Sequence, residues 1–207
     1  KISHVTRYVY DTPPPYGLQQ IRLTPRTRAG QTILNWNLDI DGGRKQAEFR
    51  DQHDNIVHLV SLNPDKQDIS IECEGLVETE DRAGMFGMHD GKAPLWYYKR
   101  ITPMTQPGPR VRDLTGALSK AFDNDIARLH ALSESILSSV KYDVGRTSFG
   151  ASAEAALELG HGVCQDHAHI FVAAARHLGF PARYVSGYLM LADRVEQDAG
   201  HAWAEAF

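Results

Sequence analysis

A change of hydrophobic period partway along the chain governs its architecture. Up to about residue 80, apolar side chains alternate with polar ones, which is the pattern of strands with one buried face; after Pro109 they recur every three to four residues, the pattern of helices burying a stripe. In "ILNWNLDI", Leu34, Trp36, Leu38 and Ile40 are expected to point one way and Asn35, Asn37 and Asp39 the other. Further strands are expected at 3–10, 18–24 and 68–78, with "QAEFRDQ" and "IVHLVSL" between them. The residues flanking those two, Asp41-Gly42-Gly43 and Asp54-Asn55, suit hairpin turns. Pro13-Pro14-Pro15 forbids regular ladder pairing between the first two strands, because proline has no N–H to donate. Six short strands without a helical pattern predict an antiparallel β-sandwich. Cys73 alternates in phase with Ile69, Ile71 and Val77 and reads as a small buried hydrophobe.

Between about residues 80 and 109 the period fades, and "PMTQPGP" is the sharpest cluster of breakers. The domain boundary is expected there, giving a β-sandwich over 1–105 and a second domain over 106–207. Trp96, Tyr97 and Tyr98 lie in the connection, either lining a pocket or plugging a contact between the domains. Beyond it, Val111, Leu114, Leu118, Ala121 and Phe122 form one apolar face, and Ile126, Leu129, Leu132, Ile136, Leu137 and Val140 another. Asp123-Asn124-Asp125 stops the first helix and caps the second. A short third helix begins at Ser152, with Glu154 in its first turn and Gly160 at its end. A fourth opens at Cys164 and stops at Gly179 and Pro181. Two strand-like pieces, "ARYVSGYLML" and "GHAWAEAF", follow, separated by the polar "ADRVEQDA", so the class is α+β.

Composition serves mainly to exclude. A net charge of −4, with 22 basic residues scattered rather than striped, argues against a nucleic-acid partner. No apolar run approaches the roughly 18 residues of a spanning helix, so membrane insertion is not expected. The N-terminus lacks a basic-then-apolar leader pattern, and the chain reads as cytoplasmic. Nothing in the sequence sets an oligomeric state. Its two cysteines fall in different predicted domains and are expected to be reduced.

Cys164 is the residue with a nucleophile's setting. At the first turn of a helix its thiol meets unpaired N–H groups and the positive end of the macrodipole, which favours thiolate; the same N–H groups can receive an oxyanion. A base must come from elsewhere in space. His167 lies one turn along the same helix and is expected to pack; His169 and His177 read as surface or satisfied core residues, and His161 has no orienting partner in sequence. His201 opens a strand that could hold its imidazole opposite the helix start. Gln165 and Asp166 flank the thiol, and Asp166 at an early helical position is expected to cap backbone N–H groups. Asp198 lies in a polar turn and reads as solvated. Trp203 shares a strand face with His201 and Glu205 and either contacts substrate or packs. Arg183 is expected to pair structurally. A metal site from His161, Cys164, His167 and His169 is an alternative, although His169 points about 140° from Cys164 on a helix.

"SAEAALELGHGVCQDHAHIFVAAARHLGFPARYVSGY", followed by "HAWAEAF", resembles the core of the transglutaminase-like cysteine enzymes, over roughly residues 113–207. The first hundred residues resemble the β-domain that precedes this core in bacterial members. The resemblance implies a papain-like fold with Cys164 as nucleophile, His201 as base, and Tyr142 and Tyr188 as aromatics flanking the cleft. It further implies an orienting aspartate on the strand after His-Ala-Trp, beyond Phe207, so the core reads as incomplete at its C-terminus. The activity implied is acyl transfer from protein or peptide carboxamides without a cofactor or metal, most simply as a cysteine peptidase or amidase. The alternatives are a protein-glutamine γ-glutamyltransferase and a non-catalytic interaction module on the same fold.

Overall fold

The computed structural model describes residues 1–89, 91–119, 122–143, 150–191, 193, 195–197 and 199–207. They form two compact units, Lys1–Ala93 and Pro94–Phe207. Ala121 and Asp198, both named above, lie outside the described residues.

The first unit contains six strands, β1 (Ile2–Val9), β2 (Leu18–Thr24), β3 (Gln31–Asp41), β4 (Gly43–Arg50), β5 (Ile56–Leu62) and β6 (Asp68–Thr79). They pair antiparallel as two three-stranded sheets, ordered β1-β6-β3 and β2-β5-β4. Strands β1 and β2 are in different sheets, in keeping with the proline run between them. Ile69 and Ile71 of one sheet meet Ile21 and Val60 of the other, so the sheets face each other as a sandwich. Cys73 is wholly buried.

Two local expectations fail. The Asp41-Gly42-Gly43 segment is not a hairpin: β3 and β4 belong to different sheets, and the chain crosses between them at Gly42, which has φ +81°. A Cβ there would lie 2.3 Å from the Asp68 carbonyl oxygen, so both conformation and space require glycine. Leu34 is also exposed rather than inward. The β3–β6 register slips between Ile33 and Asn35, and the resulting bulge turns Leu34 outward while Trp36, Leu38 and Ile40 keep the predicted face. The Asp54-Asn55 turn does join β4 to β5 as a hairpin.

The second unit contains α1 (Pro109–Gly116), α2 (Asp125–Ser139), β7 (Lys141–Tyr142), α3 (Ala153–Leu159), β8 (His161–Gly162), α4 (Cys164–His177), β9 (Ala182–Gly187) and β10 (His201–Ala206). Helix α4 is central: Ile170, Val172, Ala173, Ala174 and Ala175 are buried in one core with Val111, Leu132, Ile136, Val140, Ala153, Ala156 and Ala182. Its run of alanines lets neighbours approach from several sides. The predicted stripe on α2 is narrower than expected, since Ile126 and Leu137 are exposed. Asn124 caps α2 by accepting the Ala127 N–H (2.8 Å), and Ser152 caps α3 by accepting that of Ala155 (3.2 Å). Gly160 ends α3 with φ +68°.

The segment before α1 belongs to the second unit, so the compact units divide at Ala93/Pro94 rather than at 105/106. Arg176 of α4 holds it there, donating to the carbonyls of Tyr98 (2.7 Å), Arg100 (2.7 Å) and Ala182 (2.8 Å) and to Thr105 Oγ1 (3.0 Å). Tyr98 is buried, 5.6 Å from the Phe207 ring, while Trp96 is exposed. The breaker cluster therefore marks a turn inside a unit, not a linker. Among the described residues, no helix is long and apolar enough to cross a membrane.

Candidate active site

Val163 is extended (φ −105°, ψ −177°) and Cys164 is the first residue of α4. Asp166, only 5% exposed, turns back and accepts the Val163 N–H through Oδ2 at 2.8 Å, satisfying a donor that the helix itself cannot. Gly162 makes room for it: a Cβ at that position would lie 2.7 Å from both the Cβ and Oδ2 of Asp166. The capping role expected of Asp166 is thus its geometry here. Cys164 is not in a disulfide and is half-buried beside this cap, and Gln165 is exposed.

Behind the turn, β7 and β8 pair in parallel, Lys141 with His161 and Tyr142 with Gly162. Two residues each, they carry no periodic signal and are absent from the sequence reading. His167 ties α4 to the end of α2, with Nδ1 2.9 Å from the Val163 carbonyl and Nε2 3.0 Å from that of Val140. Tyr142 is exposed, its ring 6.1 Å from that of His167. Tyr188 follows β9 and is half-buried.

After α4 the chain reverses at Gly179 (φ +94°), and the Phe180 N–H returns to the Ala175 carbonyl at 2.9 Å. Strand β9 then runs back along the helix, and its Tyr184 ring packs edge-on against His169 of α4 at 5.1 Å. Burial raises the Tyr184 phenol pKa, and the negative charges of Cys164 and Asp166 raise it further. The direction of β9 is therefore toward the start of α4. Strand β10 is antiparallel to β9 with His201 opposite Gly187, so His201 lies at the end of the hairpin that corresponds to the Cys164 end of the helix. Ala204 and Ala206 pack against the helical core. The His201 and Trp203 rings are 4.6 Å apart at 67°. Burial lowers the His201 pKa, favouring the neutral imidazole that a base requires.

Arg183 pairs with Glu205 at 2.6 Å, as expected, and lies over the Tyr98 and Phe207 rings. Tyr184 went unrecognised as a neighbour of Cys164, and His169 as the ring that Tyr184 packs against. His169 Nδ1 is buried without a hydrogen-bond partner, and burial lowers the pKa of its ring while Asp166 opposes the shift. Their meeting depends on how β9 folds back onto α4, for which the sequence holds no local signal. Among the described residues no group of three or more His, Cys, Asp or Glu is arranged to hold a metal ion, and both His167 nitrogens already face carbonyls.

A sandwich followed by an α+β core with a thiol at the start of its central helix defines the class, a transglutaminase-like cysteine-enzyme fold. Residues 112–207 match the transglutaminase-like superfamily, and residues 1–78 match the bacterial transglutaminase-like N-terminal region. The chain belongs to this superfamily and carries the bacterial N-terminal region ahead of its core. An uncharacterised protein of Mycobacterium leprae is 25% identical over 224 residues, spanning all of this chain and 78% of that protein. An uncharacterised protein of Mycobacterium tuberculosis is 25% identical over 230 residues, spanning 73% of its length. The crystal structure of a candidate cysteine protease from Cytophaga hutchinsonii has the same fold, with a TM-score of 0.74 at 22% identity over 99% of this chain and 70% of that one.

Proposed function

We propose that the protein is a thiol-dependent acyl-transfer enzyme acting on protein or peptide carboxamides, with hydrolysis as its main outcome. The observation that carries this reading is the half-buried Cys164 at the first position of α4, with His201 at the corresponding end of the β9–β10 hairpin. Neutral His201 takes the thiol proton of Cys164; the thiolate attacks the carbonyl carbon, and the C=O π pair moves to oxygen, where N–H groups at the start of α4 receive it. Collapse breaks the C–N bond as His201, protonated, gives its proton to the departing amine. Neutral His201 next takes a proton from water, whose oxygen attacks the thioester. The carboxylic acid leaves, and the thiolate is regenerated.

Iodoacetamide labelling near neutral pH tests the nucleophile, with buried Cys73 as an internal control. Cys164 should alkylate faster than a free thiol, and Cys164→Ala should abolish hydrolysis of dye-labelled casein. Ordinary alkylation at Cys164 together with undiminished hydrolysis in Cys164→Ala would refute the assignment. The superfamily match favours transamidation as the second reading. Incorporation of a fluorescent primary amine into casein, at a rate above release of its peptides, would make that the dominant reaction.

A further inference from the structure

Gly187, Trp203 and His201 form one arrangement at the end of the β9–β10 hairpin. Trp203 is paired with Val185, yet its indole leans along the ladder over Gly187, where a Cβ would lie 3.3 Å from Cζ3 and 4.0 Å from Cη2. Gly187 is also the ladder partner of His201, so the bare backbone opposite the imidazole is what admits the indole to its flank. The two rings meet at 4.6 Å and 67°, an edge-to-face contact that restricts rotation of the imidazole about its side-chain bonds. Trp203 keeps 37% of its surface exposed, more than a residue serving only as core would retain.

We propose that Trp203 is the positioning residue for His201, its indole passing over Gly187 to hold the imidazole in a single orientation. This rests on the proposed role of His201 as the acid and base. The charged and titratable groups of the elements packed with β10 are Arg183 and Tyr184 on β9, Cys164, Asp166, His167, His169, Arg176 and His177 on α4, and Glu205 on β10 itself. Arg183 and Glu205 are committed to each other, and burial alone lowers the His201 pKa. Removing the indole admits water to one flank of the ring.

The test is an NMR titration of His201, assigned by its loss in His201→Gln, in the native protein, Trp203→Phe and Trp203→Ala. Trp203→Ala should move the His201 pKa upward, abolish the ring-current displacement of its carbon-bound protons, and reduce casein hydrolysis on the order of 10²-fold through misplacement. Trp203→Phe should restore most of each. Gly187→Ala, whose methyl crowds the indole, should shift the same resonances while keeping the tryptophan. An unchanged titration and unchanged resonances in folded Trp203→Ala would overturn the proposal. Should that variant fail to fold, unchanged resonances in Gly187→Ala would overturn it instead. If the native protein does not hydrolyse casein, the catalytic reading fails while the NMR comparison still decides whether Trp203 positions His201.

Discussion

The thiol at the start of α4 depends on two residues that do no chemistry. Asp166 takes up the Val163 N–H, and Gly162 leaves the space in which its carboxylate sits. Asp166→Ala should lower stability by about 1–2 kcal/mol in urea unfolding, the usual cost of a lost cap with a donor left unpaired. Gly162→Ala should be at least as harmful, because its methyl meets the Asp166 side chain at 2.7 Å. Both variants should also slow iodoacetamide labelling of Cys164, since the frayed first turn no longer directs its N–H groups toward the sulfur. The motif around Cys164 was legible because helix starts are set by local residues. The neighbourhood of Tyr184 and His169 was not, because those residues meet only through a fold-back of the chain.

Caps and pins between elements show a second kind of dependence. Glu154 was expected simply to sit in the first turn of α3; it also reaches α1, accepting the N–H groups of Arg110 (2.7 Å) and Val111 (3.2 Å). Gly108, which precedes α1 and has no side chain to cap it, leaves that space open. Glu154→Ala should cost about 1 kcal/mol in thermal or urea unfolding, and Glu154→Gln, which keeps one acceptor oxygen, less. Arg176 joins α4 to the segment around Tyr98–Thr105 through the carbonyls of Tyr98 and Arg100 and the Thr105 hydroxyl, and to β9 through the Ala182 carbonyl. Arg176→Ala leaves those carbonyls unpaired at about 1–3 kcal/mol each where they remain dry. It should unfold at markedly lower urea and be cut by trypsin first near Arg100. Helices and strands were readable from their periods, whereas the Gly42 crossing and the Leu34 bulge were not: a turn-forming sequence does not reveal which sheet the next strand joins.

Across the whole chain, carboxylates and buried histidines answer acid over different ranges; burial lowers the His58 pKa in the first unit as well. In the first, burial raises the Asp51 pKa, but hydrogen bonds from Arg22, Asn55 and the backbone N–H groups of Asn55 and His53 outweigh it and hold the carboxyl at about 2, below its ordinary 3.8. The stability that Asp51 contributes is present above 3.8 and disappears as pH falls through about 2. Asp51→Asn should flatten the acid limb of a melting curve followed through Trp36. In the second unit burial lowers the pKa of His169 and His201, so the unfolded chain binds protons more readily than the folded one. Stability should therefore rise with pH through the region below about 6.5, and His169→Gln should reduce that slope in melts between pH 5 and 8. The order of strands and helices, the principal caps and the nucleophile's helix were determined locally, because hydrophobic period and terminal side chains act over a few residues. Which sheet each strand joins, where the units divide, and which side chains surround Cys164 and His201 were decided only in three dimensions. Those outcomes rest on contacts between segments distant in sequence, where one guanidinium or one missing Cβ determines what can approach.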